Sequence, residues 1–600
     1  MEKQKKRSEI EEKYKWDISC LYASKEEIDA DKDKVTKLIN TLKDYKGKLT
    51  SSSDMLLNFL KLDEQISEII YNLYVYAYSV KSVDFADQEG QKLFGEVVCI
   101  DSLYNEKSSF VMPELMKTDY SVIQKYLEDN EALREYKFDL EKMYRYQKYT
   151  LSDKEEALLA NIGEIRTRTE NNFEVTVNSI IKYGFIKDED NNEVELTNGN
   201  YSKYIRSKDR RVRKDAYEAK GKALEEYTKI LAIDLESAIK TDAIVAKARG
   251  YDSDIDMYLF EDGVTPQIYD NMVDIACKHL DVLHKYYRLI KKVTGINDLE
   301  IYDLSAPLTE VSNKKYTPED AKDIIIDSLK VYGDDYISVL RKAFEERWID
   351  YYPNEGKRVG YYQNNSYRGH PLIFGNFTDD FNSVSAICHE LGHAMHTYYS
   401  NKNNPPHSAD YKIIVAEVAS LTNELILSNY IVNNSDNKQE KLAAIENILS
   451  VFSDNYYGTV AAGSVFERVI HKKVFDGESL TAEDINNIFE EAYGKHFGPD
   501  VKKNEYMKYS WARIPHYYTS FYYYKYSIGI SCACYVASKI LNGDKEFLDK
   551  YLNYLKLGDT MMPLDELKTI GIDLTKTEVL EEAIKYFDKL IDKFEEIYNS

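Results

Sequence analysis

The amino-acid sequence predicts a mainly α-helical protein with a small amount of β-structure. Apolar residues recur at helical spacing through most of the 600 residues, as they do at Leu56, Leu60, Ile66 and Ile70. Segments with the alternation typical of strands are few. No internal repeat of roughly 20 to 50 residues is present, so a solenoid of stacked helical repeats is not predicted.

The first strand signals predict one hairpin. Residues 183–186 and 194–196 are rich in apolar residues and flank a short polar turn. Breaks rich in Asn, Asp and Gly follow, and we place a boundary near residue 200. It separates a helical N-terminal region, residues 1–200, from a second region, residues 201–600.

Two later segments complete the predicted elements. Residues 371–377 are almost entirely apolar and are expected to form a short strand. Residues 575–598 alternate charged and apolar faces without a basic excess, which predicts a closing amphipathic helix that packs on the body.

The charge balance argues against two classes of partner. The chain has 79 Lys and Arg against 103 Asp and Glu, for a formal charge of −24, so it repels phosphate backbones and anionic lipid headgroups. Nucleic acid and membranes are therefore not expected as partners. The six cysteines form no CxxC pair, and no segment reaches roughly 18 consecutive apolar residues, so we expect a cytoplasmic protein.

One short motif predicts the chemistry. Residues 389–393 read H-E-L-G-H, and on a helix His389 and His393 lie on one face, where both can bind one metal ion. Glu390 lies beside them toward the water side. Thr378 as the N-cap, followed by an apolar stripe at helical spacing, predicts that helix.

A catalytic zinc site needs a third protein ligand, and Glu417 is the best candidate. It lies on a second apolar helix within the sequence V-A-E-V-A-S, where a buried carboxylate needs a cation. Glu424 follows two turns later on the same face. Two interpretations of Glu424 remain open, a residue that orients a metal ligand and an exposed helix charge.

Other metal chemistries are less well supported. A di-iron bundle needs a second E-x-x-H and further glutamates, and the chain has no second E-x-x-H. A non-catalytic helical scaffold with a structural zinc, or none, would have no use for Glu390 beside an open coordination position. Two nitrogens and one carboxylate also suit cobalt or manganese.

Taken together, these residues resemble oligoendopeptidase F, within the thimet oligopeptidase-like zinc peptidases. The resemblance is carried by H-E-L-G-H-A-M-H at residues 389–396 and by V-A-E-V-A-S followed by Asn423 and Glu424. It spans nearly the whole chain, and further matching segments lie at residues 14–19, 210–217, 356–361 and 513–516.

The resemblance implies a large, two-lobed helical body that encloses a deep substrate channel, with a small β element beside the zinc-binding helix. Residues 1–200 would be the N-terminal region typical of oligoendopeptidase F, and residues 201–600 the catalytic domain. The implied partners are short peptides, while the oligomeric state is left open.

The resemblance also implies the roles of individual residues. His389, His393 and Glu417 would bind one Zn²⁺ per chain, and Glu390 would activate the zinc-bound water that hydrolyses the peptide bond. His516 and Tyr524 best match the late histidine and tyrosine that lie over the scissile carbonyl. Tyr517 is the further tyrosine expected at the substrate.

The predicted strand at residues 371–377 has two interpretations. An exposed edge there would pair with an extended peptide, whereas an ordinary strand would be buried.

Overall fold

The computed structural model describes residues 5–309 and 314–600, and it confirms the mainly α-helical prediction. The N-terminal helices pack around one hydrophobic core, built from buried residues between Trp16 and Tyr144. These helices are α1 (Lys25–Thr41), α2 (Ser53–Val83), α3 (Gln88–Ser108), α4 (Val111–Lys117), α5 (Tyr120–Asp129) and α6 (Lys137–Tyr144). The next helix, α7 (Asp153–Val175), contributes none of its described side chains to this core.

The predicted hairpin is confirmed. Strands β1 (Phe185–Lys187) and β2 (Glu193–Glu195) are antiparallel, with Ile186 opposite Val194. Asp188 closes the turn, because its carboxylate accepts hydrogen bonds from the backbone N–H groups of residues 190 and 192. Two helices follow, α8 (Asn198–Ile205) and the 40-residue α9 (Arg210–Arg249).

The middle of the chain supplies five helices and then a three-stranded sheet. The helices are α10 (Asp254–Asp262), α11 (Pro266–Lys278), α12 (Leu280–Thr294), α13 (Pro318–Leu329) and α14 (Asp334–Glu345). The strands are β3 (Ile349–Asp350), β4 (Tyr362–Asn364) and β5 (Leu372–Phe374).

Strand β5 is the predicted strand, but it is not an edge. It lies between β3, to which it is parallel, and β4, to which it is antiparallel, and all three of its residues are buried. The hypothesis that its edge pairs with a peptide is wrong, because both edges already bond to neighbouring strands. Leu372 and Phe374 face the N-terminal core, while Ile373 faces the core of the following helices.

Most of the remaining helices enclose the largest core, with α16 at its centre between α15 and α20, whereas α18 and α19 pack mainly with α9 in a separate core. The predicted closing helix is confirmed as the last of them. They are α15 (Phe381–Asn403), α16 (Ile413–Asn434), α17 (Lys438–Phe452), α18 (Val465–Phe475), α19 (Ala482–Phe497), α20 (Tyr524–Leu541), α21 (Lys545–Tyr554), α22 (Pro563–Thr569) and α23 (Glu578–Asn599). None of the helices in the described residues is both long and apolar enough to cross a membrane.

Candidate active site

Helix α15 presents the H-E-L-G-H motif, although it begins later than predicted. The N-cap is Asp380, whose carboxylate accepts a 2.8 Å hydrogen bond from the backbone N–H of Ser383. Thr378 is outside the helix, and its hydroxyl lies 3.0 Å from the Ser383 hydroxyl. The helix cannot start at Thr378, because Asp379 adopts a left-handed φ of 59°.

The structure brings His389, His393 and Glu417 together. The two imidazole Nε2 atoms are 3.2 Å apart, and Oε2 of Glu417 lies 3.4 Å from that of His389 and 3.7 Å from that of His393. Zinc bonds of about 2.05 Å in a tetrahedron separate ligand atoms by about 3.3 Å. The three atoms therefore fit three corners of a metal tetrahedron without rearrangement, and the three side chains are 14–22% exposed.

Two glycines allow this close assembly. A Cβ on Gly392 of α15 would lie 2.5 Å from the Cα of Ser420, and a Cβ on Gly529 of α20 would lie 2.5 Å from the Cβ of Glu417. Both distances are too short for any side chain, so α15 and α20 approach α16 only because these positions are glycine.

Glu424 holds His389 from behind. Its Oε1 lies 2.8 Å from Nδ1 of His389, which leaves Nε2 of that ring to face the metal position. The other oxygen of Glu424 accepts a 2.8 Å hydrogen bond from Ser385, and Asn447 donates to the Ser385 hydroxyl at 3.1 Å. Of the two interpretations of Glu424, the exposed helix charge is wrong, because its side chain is buried and bonded to His389.

The carboxylates give the site a surplus of negative charge. Burial opposes protonation of His389, yet Glu424 and Glu417 raise its pKa to about 10. Burial also opposes ionisation of Glu417, but the charges of His393 and His389 lower its pKa below the usual value. A cluster of side chains with this charge balance attracts a cation.

Glu390 is placed to carry a proton. Its side chain is buried next to the ligands, and none of the described residues donates a hydrogen bond to its carboxylate. Burial raises its pKa to about 7, with the charge of His389 acting against this and the charges of Glu417 and Glu424 adding to it. A carboxyl group poised near neutral pH suits general acid–base catalysis.

His396 packs away from the metal position. Its ring stacks on Tyr411 at 3.8 Å between centroids with planes 6° apart. Burial and the charge of His393 lower its pKa to about 3, so it stays neutral. It is a buried aromatic contact one turn beyond the ligands.

The late segment brings His516 beside two other tyrosines. Nε2 of His516 lies 3.4 Å from the hydroxyl of Tyr526, and the Tyr522 and Tyr526 rings meet edge to face at 5.5 Å. Tyr526 lies one helical turn before Gly529, which touches Glu417, so it is on the α20 face toward the metal ligands. Accordingly, burial, Tyr522 and the charge of Glu417 raise the pKa of Tyr526.

Tyr524 and Tyr517 lie elsewhere. The Tyr524 hydroxyl donates a 2.7 Å hydrogen bond to Asp262 of α10, and its side chain is buried. Tyr517 is enclosed between Phe466 at 4.8 Å and Tyr523 at 5.5 Å. The structure does not bring either hydroxyl to the ligand cluster.

Comparison with protein families agrees with this geometry. Residues 203–586 match the model described as "Peptidase family M3", and residues 114–183 match the one described as "Oligopeptidase F". The chain belongs to peptidase family M3. The family identified from the sequence resemblance is confirmed, and with it the predicted enzyme class, a metalloendopeptidase.

Similar proteins extend over the whole chain. Oligopeptidase PepF of Bacillus subtilis is 34% identical, covering 98% of this chain and 88% of the relative. The crystal structure of a Chlamydophila abortus protein assigned as a peptidase superposes with a TM-score of 0.90 and 31% identity, covering 99% and 100% of the two chains. Oligoendopeptidase-F of Enterococcus faecium gives a TM-score of 0.75 and 26% identity, covering 96% and 99%.

Several residues around the ligand cluster of this M3 peptidase were not predicted from the sequence. Ser385 and Asn447 orient Glu424 but have no motif of their own. Tyr526 does have a signal, because it precedes Gly529 by one turn of α20, whereas Tyr522 lies before that helix begins at Tyr524. Comparing the tyrosines by helical face rather than by motif order would have found Tyr526.

Proposed function

We propose that this M3 peptidase is a zinc-dependent endopeptidase that hydrolyses internal bonds of short peptides. One observation carries the proposal, the meeting of His389, His393 and Glu417 at tetrahedral spacing beside the unbonded carboxylate of Glu390. Structural zinc sites have four protein ligands, and an open fourth position is typical of catalytic sites.

His389, His393 and Glu417 would hold the zinc ion, and Glu424 would keep His389 in the required tautomer. Bound zinc supplies a Lewis acid that polarises the substrate carbonyl and increases the acidity of water. Glu390 then accepts a proton from the attacking water and delivers it to the departing amine. Its pKa of about 7 lets it take and return a proton at neutral pH.

His516 is the proposed donor to the carbonyl oxygen of the scissile bond, as predicted from the sequence. For the accompanying tyrosine we replace Tyr524 and Tyr517 with Tyr526, since its hydroxyl lies beside His516. A donor aimed at the oxygen that gains charge lowers the barrier by about 3 kcal/mol in comparable sites.

Short peptides as substrates are supported by the names of the relatives, an oligopeptidase and an oligoendopeptidase. The division of the chain near residue 200, the substrate channel and the cytoplasmic location stay predictions.

Metal removal tests the proposal. The purified protein should cleave an internally quenched octapeptide, lose that activity in 1,10-phenanthroline, and regain it with one equivalent of zinc. Mass spectrometry of the products should show cleavage at an internal bond. Full activity in the metal-free protein, or release of single terminal residues only, would overturn the proposal.

A further inference from the structure

A cavity with a volume of about 140 Å³ lies beside the late segment. Its walls come from α8, α9 and α19 and from the turns before His516. Gly221 helps to form it, because a Cβ there would lie 2.4 Å from the Cβ of Tyr506, which packs directly against the helix. Nothing in the proposed mechanism uses this cavity.

Two cations face into the cavity, Lys220 of α9 and Arg513. Lys220 is only 7% exposed, whereas Arg513 is exposed and can be reached from solvent. None of the residues that line the cavity is acidic. Within the described part of the chain, neither cation has a carboxylate oxygen within 4.0 Å.

This lack of an acidic partner is unusual for buried cations in this protein. The buried Arg213 pairs with Asp303 at 2.8 Å, and the buried Lys357 pairs with Asp350 at 2.6 Å. Lys220 instead has its ammonium 3.9 Å from the ring centroid of Tyr201. Charging a buried lysine without a counter-ion is costly, and a carboxylate supplied from outside would remove that cost.

The pKa of Lys220 also favours binding of a carboxylate in the cavity. Burial, and then the charge of Arg513, lower the pKa of Lys220 to about 6. Arg513 also acts on the buried Asp454, whose pKa is raised by burial against the charges of Arg206 and Arg513. An incoming carboxylate would restore the proton on Lys220 and bond to both cations.

The cavity is close to the proposed reaction site along the chain and is linked to it by a series of packed side chains. Arg513 precedes His516 by three residues. Tyr493 in the cavity wall contacts Tyr517, whose ring meets that of Tyr523 edge to face at 5.5 Å. The Tyr523 ring in turn stacks on His516 at 4.8 Å between centroids.

We propose that Lys220 and Arg513 form a subsite that binds a carboxylate of the peptide substrate. The inference rests on the proposed peptidase function. The carboxylate is either the free C-terminus of the peptide or the side chain of an acidic residue, and both have the same chemistry. Binding there would anchor one end of the substrate at a set distance from the cut bond.

Matched substrates test the subsite. One pair of quenched peptides differs only in a C-terminal acid or carboxamide, and a second, amidated series has Glu or Gln at each position in turn. The wild-type protein should prefer the carboxylate member of at least one pair by about tenfold in kcat/KM, mainly through KM, as expected for a charged hydrogen bond. A preference within the first pair indicates that the free C-terminus is bound, and a preference within the series indicates that an acidic side chain is bound.

Variants then assign the preference to these residues. Arg513→Gln and Lys220→Met should each reduce the ratio toward one while cleavage of the carboxamide or Gln peptide is retained. Lys222→Met is the matched control, since Lys222 is exposed on the same helix, and it should keep the wild-type ratio. The inactive Glu390→Gln protein should show the same preference in Kd by calorimetry.

The inference is overturned if metal-dependent cleavage shows ratios near one for every pair. It is also overturned if the preference persists in both Arg513→Gln and Lys220→Met, in which case Lys220 is only a cation packed on Tyr201. Failure of the proposed function looks different, because then no peptide is cleaved or chelation has no effect.

Discussion

The two parts of the candidate site are built in different ways. Helices α15 and α16 are regular. Each residue of a regular helix is rotated by the same angle from the one before, so the spacing of two residues in the sequence determines whether their side chains share a face. The segment from Met507 to Tyr526 consists of short 3₁₀ turns followed by the start of α20, and Phe521 within it has a left-handed φ of 56°. In the first part, the residues chosen by motif order meet in one cluster. In the second part, motif order selects Tyr524 and Tyr517, whose side chains pack elsewhere.

Helix geometry explains why Tyr526, and not Tyr524, faces the metal ligands. Tyr524 and Tyr526 are separated by about 200° on helix α20, so only one of them can face Glu417. Tyr526 shares the face of Gly529, while Tyr524 turns to Asp262. The late segment therefore offers a direct experimental contrast between neighbouring residues of the same type.

The largest effect is expected within the helix pair. Glu390→Gln keeps the shape of the side chain but removes proton transfer, so kcat/KM should fall by about 10²- to 10⁴-fold. Zinc content by mass spectrometry should stay at the wild-type value, because Glu390 is not a ligand. A decrease in kcat/KM of less than about tenfold would remove Glu390 from its proposed role.

Tyr526→Phe tests the late segment. Loss of the hydroxyl should lower kcat by about 10²-fold with little change in KM, because the proposed hydrogen bond forms mainly with the charged oxygen of the transition state. Tyr524→Phe is the matched control and should keep kcat. If Tyr524→Phe has the larger effect on kcat, the sequence-based assignment is right and ours is wrong.

Glu424→Gln should have a smaller effect, and on metal affinity. The neutral amide holds the Nδ1 proton of His389 less strongly, so the dissociation constant for zinc should rise by about tenfold. Competition with a fluorescent chelator measures this change. Glu440→Gln, on α17 and away from the ligands, is the control, and equal affinities in both variants would contradict the orienting role.

The smallest expected effect is on stability. Tyr524→Phe removes one of two polar partners of the buried Asp262, whose carboxylate also bonds to Lys525 at 2.8 Å. The free energy of unfolding should decrease by about 1 kcal/mol, measured by urea denaturation. An unchanged midpoint would mean that the Asp262 contact is not formed in solution.

The sequence predicted the helical class, the hairpin, the closing helix and the ligand cluster, because each depends on periodicity or on spacing within one element. It could not predict contacts that depend on how separate elements meet. Nothing in the sequence around Gly392 and Gly529 shows that they are needed, because their role depends on the close contact of α15 and α20 with α16. In the same way, the sequence predicts that β5 is an apolar strand, but not that it lies between β3 and β4 and therefore has no free edge.

The most direct test of the account is a crystal structure of the zinc-loaded protein, with anomalous diffraction recorded at the zinc edge. We expect one strong anomalous peak, about 2.0 to 2.2 Å from Nε2 of His389, Nε2 of His393 and a carboxylate oxygen of Glu417. A peak bound by other residues, or density at these three side chains without a peak, would contradict the proposed metal centre.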